Sequence, residues 1–167
     1  MMMAVSVRPE TGRDHAAIWS VNEEVFGRRD EADLVERLRS DYDLVLSWVA
    51  LAERVVGHIA FSRLHMEGAT VRASALAPMA VRPSHQRRTV GTRLVHDARA
   101  RLAAMGEDIV LVLGEPAFYG RFGFRREAAA RLKTPYDGPY LQALALTEAG
   151  RLACGIVRYP DAFTALG

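Results

Sequence analysis

The succession of hydrophobic patterns along these 167 residues predicts a mixed α/β fold, built as one domain over residues 1–167. Three observations lead there. Near the start, two helix-length amphipathic stretches follow a short alternating segment. Two strand-length apolar runs then meet at a charged two-residue turn. A third apolar run, Leu76 to Val81, leads past Pro83 and the basic segment Gln86-Arg87-Arg88-Thr89-Val90-Gly91 into a long helix. No Pro/Gly/Ser-rich linker breaks the chain, and a hydrophobic content of 50% is enough to bury one core.

Val5 to Arg8 alternates and stops at Pro9, as a short first strand does. Thr11 or Asp14 stands where it can cap a helix reaching Phe26, with Ile18, Val21 and Val25 inward and Trp19 beside them. Beyond Gly27 and Arg28-Arg29, Asp30 opens a second helix that runs to about Ser40 on the stripe Leu34, Val35, Leu38. Leu44 to Ala52 and Val55 to Leu64 read as strands joined at Glu53-Arg54, a hairpin by spacing. Gly68 ends the second of these, and a third strand is expected from Val71 to Val81. After the basic loop, Val90, Leu94, Ala98 and Leu102 recur every four residues. Val95 and Met105 widen that stripe, and Gly106 stands where a helix C-terminus favours glycine. Asp108 to Leu113 is a further strand. A short helix follows it, and Tyr140 to Leu146 is expected to be the last strand. The tail, Gly155 to Phe163, reads as an extended segment closing over the sheet.

Composition excludes several function classes. The formal charge is only +2, the basic residues are dispersed except from Arg82 to Arg93, and no aromatic residues interleave that patch, so a nucleic-acid partner is not implied. The one cysteine, Cys154, excludes an internal disulfide. His15, His85 and His96 share no metal-ligand spacing, so no metal is expected. No apolar run reaches the roughly 18 residues of a membrane span. The start MMMAVSVRPE lacks the regions of a secretory leader, and a cytoplasmic protein without membrane contact is expected.

The strand, basic loop and helix carry the functional signal. The first turn of a helix leaves backbone N–H groups without intrahelical partners, at the positive end of its dipole. A basic loop at that point is a candidate phosphate site, although an arginine-rich solvated turn would carry the same letters. The absence of G-K-[ST] after a glycine-rich run separates it from a nucleoside-triphosphate loop.

Here the chain resembles the GNAT N-acetyltransferases, whose coenzyme signature is Q/R-x-x-G-x-G/A. Gln86 matches its first position and Gly91 its last, whereas Thr89 stands where the family usually has glycine, so that the loop must avoid positive φ at Thr89 or accept strain. Downstream, Phe118-Tyr119-Gly120-Arg121-Phe122-Gly123-Phe124 is similar to the family's F-Y-x-k-x-G-F segment, in a form close to a bacterial subgroup of predicted N-acetyltransferases. The resemblance runs from Val5 to about Ala149. It implies a mostly antiparallel twisted sheet with splayed central strands, flanked by helices, and acetyl-coenzyme A as cosubstrate.

The resemblance also implies roles. Met79, Ala80 and Val81 would line the pantetheine arm, and their amides would polarise the thioester carbonyl. Gln86, Arg87, Arg88, Thr89, Val90, Gly91 and Thr92 would cradle the diphosphate, with the arginines adding charge. Tyr119 would be the general acid for the departing thiolate. Some relatives place a glutamate base where this chain has Ala75, which leaves His58 as a water-relayed base, His65 and Glu115 as alternatives, or a water chain to bulk. Acidic residues of the early helices, Glu23, Glu24, Asp30, Glu31, Asp33 and Glu36, would favour a cationic amine, or are solvated faces. The expected activity is transfer of an acetyl group to a primary amine of an unidentified small-molecule or peptide acceptor, by a monomer or homodimer. The alternative is a non-catalytic acyl-coenzyme A binding or regulatory module.

Overall fold

In the computed structural model, which describes residues 4–166, eight strands form a twisted, mostly antiparallel sheet flanked by helices. The main path runs β1 (Ser6–Pro9), β2 (Leu44–Leu51), β3 (Val55–Glu67), β4 (Ala73–Val81), β5 (Ile109–Leu113) and β7 (Leu141–Ala145). Every neighbouring pair on it is antiparallel except β4–β5. Off this path, β8 (Gly155–Arg158) pairs with the end of β3 and with the two-residue β6 (Leu132–Lys133).

The helices begin and end where local chemistry dictates. Thr11 and Asp14 form a reciprocal cap ahead of α1 (His15–Phe26), in which the Thr11 amide donates to Asp14 Oδ2 at 2.7 Å. Gly27, at φ +67°, ends it. In α2 (Asp30–Ser40), acidic residues crowd the first turn and Arg37 and Arg39 the last, complementing the dipole. Trp19 ties the two helices together by donating to Asp33 Oδ1 at 3.0 Å.

The long helix α3 (Val90–Ala104) buries the predicted stripe Val90, Leu94, Val95, Ala98 and Leu102 against one face of the sheet. The full burial of each valine or leucine contributes about 1.5–3 kcal/mol. Strand alternation divides the neighbouring residues: Leu76, Val110 and Val112 face α3, while Ala75 and Leu111 face the other side. That other side is covered by α1 and α2 at one end and by the C-terminal part of the chain at the other.

The observed boundaries depart from the sequence-based expectation where tertiary partners intervene. β3 runs on to Glu67 because β8 pairs with His65, Met66 and Glu67. β4 starts at Ala73, since Arg72 is held by Asp108: its amide donates to the Asp108 carboxylate at 2.8 Å, and its carbonyl accepts from the Asp108 amide at 2.8 Å. The strand at Leu141 is not the last. The tail adds β8 and a 3₁₀ turn, Asp161–Ala165, whose Ala162 and Phe163 pack on Leu34 and Leu38 of α2.

Candidate active site

The site begins where a ladder stops. β4 and β5 are paired from Ala73↔Ile109 to Leu76↔Val112, after which β4 continues for five residues and β5 for one. Past Leu113 the chain stays with β7 instead, the Gly114 amide donating to the Tyr140 carbonyl at 3.1 Å. Against β3, Ile59 and Phe61 face Met79 and Leu76, so β4 carries one extra residue at this point, a bulge. The two central strands are therefore splayed over Ala77–Val81.

Which amides point into the gap follows from alternation. Arg82 N–H donates to the Val56 carbonyl at 2.8 Å, which turns the amides of Arg82 and Ala80 toward β3 and those of Val81 and Met79 away from it. The Val81 carbonyl also faces outward, where it accepts from Gln86 Nε2 at 2.9 Å. Gln86 thereby fastens the basic loop to the end of β4.

That loop is wound unusually tightly for its residues. Arg87 and Thr89 both have positive φ, +61° and +64°. Thr89 thus accepts the left-handed conformation that glycine normally takes, and its hydroxyl bonds the Arg88 carbonyl at 2.6 Å. The first helical hydrogen bond of α3 runs from the Arg93 amide to the Thr89 carbonyl at 2.9 Å. Among the described residues no side chain caps the amides that precede it, at Val90, Gly91 and Thr92. Arg87 and Arg88 are exposed and, among the described residues, form no ion pair. A Cβ built on Gly91 would lie 3.7 Å from Met79 Cε, 3.7 Å from Phe118 Cζ and 3.9 Å from Val81 Cγ2, so the helix entrance, the open end of β4 and the aromatic segment converge.

Tyr119 sits on that aromatic segment, in α4 (Pro116–Tyr119), which Glu115 caps and Pro116 starts. Its ring packs edge-on to Phe118 at 4.9 Å and Phe124 at 5.7 Å. The Cε2 edge of the ring also lies against Gly114: a Cβ there would come within 2.3 Å of Tyr119 Cε2. Burial raises the Tyr119 phenol to about 12, so it is protonated at neutral pH.

His58 is elsewhere. It lies on the α1 side of β3 with no exposed surface. Asn22 Nδ2, which also donates to the Ile18 carbonyl, donates to His58 Nδ1 at 3.1 Å, and His58 Nε2 donates to Ser47 Oγ at 2.9 Å. Both ring nitrogens are thus engaged by protein. Desolvation lowers its pKa to about 3, and the ring is neutral at physiological pH. Of the alternatives, Glu115 serves as the α4 cap and His65 is exposed at the far end of β3. The acidic residues of the early helices are mostly committed to arginines: Glu24 to Arg82 at 3.0 Å, Glu31 to Arg28 at 2.6 Å, and Glu36 to Arg39 at 3.2 Å.

Comparison with known proteins decides the family. The family model described as "Acetyltransferase (GNAT) domain" matches residues 6–126. The chain belongs to the GNAT acetyltransferase family. It is 32% identical over 134 residues to the uncharacterized N-acetyltransferase YhbS of Escherichia coli K12, covering 79% of this chain and 80% of that one. The uncharacterized N-acetyltransferase YjhQ of the same organism is 37% identical over 132 residues, 76% of this chain and 71% of its own. Among solved structures, that of E. coli YhbS in complex with CoA superposes with a TM-score of 0.93 at 30% identity, covering 100% of this chain and 96% of its own. A GNAT acetyltransferase of Brucella melitensis in complex with acetyl-CoA gives 0.83 at 31% identity, covering 96% and 99%. The protein is thus a GNAT acyltransferase, as its two sequence motifs imply.

The GNAT elements gather most of the predicted residues around one opening and leave His58 behind the sheet. Sequence reasoning missed Gly114, whose lack of a side chain seats Tyr119, because a glycine after a strand reads only as a turn. It also missed a cavity on the opposite face of the β4–β5 fork, which residues of the tail help to build. Among the described residues no group of side chains has the makings of a metal site, and no helix is long and apolar enough to cross a membrane.

Proposed function

We propose that this GNAT protein transfers an acetyl group from acetyl-coenzyme A to a primary amine by direct attack on the thioester. The observation that carries the reading is the continuity of two features: strands that part after Leu76 and Val112, and an uncapped helix entrance at the open end of β4. The residues fit the cosubstrate. Outward amides at Met79 and Val81 match an arm lying along β4 like an added strand, and free amides at Val90, Gly91 and Thr92 match a diphosphate. Arg87 and Arg88 add positive charge beside them.

Acetyl-coenzyme A supplies an activated acyl group, and the chain does the rest by positioning. Of the three β4 amides expected to act, Met79 and Val81 aim their N–H groups at the space where a carbonyl oxygen gains charge, whereas the Ala80 amide is used within the sheet. Tyr119 holds a proton for the departing sulfur. A phenol raised to about 12 is a weaker acid than a free tyrosine, so its contribution lies at the lower end of general-acid catalysis. His58, sealed between Asn22 and Ser47, is a positioning residue for β3, and the amine loses its proton to water.

The test is thiol release from acetyl-coenzyme A with a panel of amines. Tyr119→Phe is expected to lower kcat by roughly 10- to 100-fold while leaving coenzyme affinity unchanged. Replacing both Arg87 and Arg88 by Ala is expected to weaken that affinity by about tenfold or more. Unchanged coenzyme binding in the double variant would refute the diphosphate assignment. A thermal shift with coenzyme A but no thiol release from any amine would favour a binding module instead.

A further inference from the structure

The face of the sheet opposite α3 holds a cavity of about 370 Å³ at the β4–β5 fork. Its floor includes the last paired residues, Leu76 and Val112, and the first unpaired ones, Ala77 and Leu113, so it opens onto the place where the strands part. Alanines at 75 and 77 leave the space empty. One wall comes from the tail: Tyr136 packs edge-on to Tyr159 with ring centroids 4.8 Å apart, and Tyr159 to Phe163 at 5.2 Å. These aromatic residues and Leu166 lie beyond the segment that matches the family model.

The cavity's only charged lining residue among those described is Arg28, at the α1–α2 turn, and it is already neutralised. Its Nε and Nη2 donate to the two Glu31 carboxylate oxygens at 2.9 and 2.6 Å, and Asp30 lies 3.4 Å from Nη1. A carboxylate on a ligand would find no free cation here. A second ammonium would meet alkyl and aromatic walls, at the cost of its hydration.

We infer that this cavity receives the acceptor, and that the acceptor is a primary monoamine on an uncharged aromatic body, with neither a carboxylate nor a second ammonium. The inference rests on the acetyltransferase reading above. It also accounts for the lack of a carboxylate base at Ala75: an ammonium entering an apolar pocket loses hydration, which lowers its pKa and favours the neutral nucleophile. The tail then acts as a specificity element, presenting flat aromatic edges to a flat ligand.

The experiment compares 2-phenylethylamine, phenylalanine and spermidine at saturating acetyl-coenzyme A, with thermal shift by coenzyme A measured on the same protein. The expected result is a kcat/KM for 2-phenylethylamine about tenfold or more above either of the others. Tyr136→Ala, at a half-buried position, is expected to raise its KM about tenfold with kcat within about threefold and the coenzyme shift unchanged. Calorimetric titration of 2-phenylethylamine into the coenzyme A complex supplies a readout independent of turnover. Preference for spermidine or phenylalanine, or faster use of hexanoyl-coenzyme A than of acetyl-coenzyme A, would overturn the assignment and leave the acetyltransferase reading standing. Failure of coenzyme A to shift the melting temperature would instead remove that reading, and this inference with it.

Discussion

At the scale of single residues, Tyr119 and Thr89 are held by what surrounds them. The Tyr119 ring occupies the space a side chain at 114 would need, with a Cβ there only 2.3 Å from Cε2. Gly114→Ala is therefore expected to displace the ring, cost about 1–3 kcal/mol in denaturation, and lower kcat toward that of Tyr119→Phe. A result with intact kcat would separate Tyr119 from the chemistry. Thr89 adopts φ +64°, and its hydroxyl bond to Arg88 offsets part of the strain. Thr89→Gly is expected to stay within about 1 kcal/mol of wild type and to retain coenzyme affinity. Thr89→Val, which keeps the branch and loses the hydroxyl, should lose about 1–2 kcal/mol and weaken coenzyme binding, measurable by urea denaturation and calorimetry.

At the scale of elements, the entrance of α3 is set by how closely the helix approaches the sheet. Gly57 on β3 makes that approach possible: a Cβ there would lie 3.2 Å from Leu94 Cδ1, 3.2 Å from Val90 Cγ1 and 3.3 Å from Ala50 Cβ. Gly57→Ala is expected to lift the first turns of α3, costing about 1–2 kcal/mol and weakening coenzyme binding more than a core change distant from Val90. A destabilised variant with unchanged coenzyme affinity would show that the helix entrance tolerates the shift. The same scale explains the tail. β8 and the turn that follows exist as structure because β3 and α2 offer an edge and an apolar stripe.

At the scale of the whole molecule, buried polar groups link the layers. Glu107 has no exposed surface and is held by Arg63 at 2.8 Å and Arg72 at 3.0 Å, joining β3, the turn before β4 and the start of β5. Such a charge is tolerated because it is paired. His58 does the corresponding work beneath α1 as a neutral ring. Its pKa is depressed from 6.5 to about 3, so the stability it supports is complete above pH 6.5 and is lost as the pH falls toward 3. Between about pH 6 and 5.3, where most carboxylates remain ionised, unfolding free energy should fall by about 1.4 kcal/mol per pH unit at most from this group alone. Denaturation midpoints over that range should show the slope in wild type and a flatter one in His58→Gln. Equal slopes would mean that His58 is not the group responsible.

Much of this is legible in the sequence by itself. Apolar stripes at helical spacing mark α1, α2 and α3 because one helix face must be buried whatever it packs against, and Gln86, Gly91 and the Phe118–Phe124 segment carry the family because each motif is local in the chain. The tertiary structure alone decided the rest. Whether β4 and β5 part after Leu76, whether His58 faces water or Asn22, and whether the tail walls a cavity all depend on residues distant in sequence. A ladder ends, a ring is desolvated and a pocket stays open through the placement of such neighbours, and no local pattern of letters encodes where those neighbours come to rest.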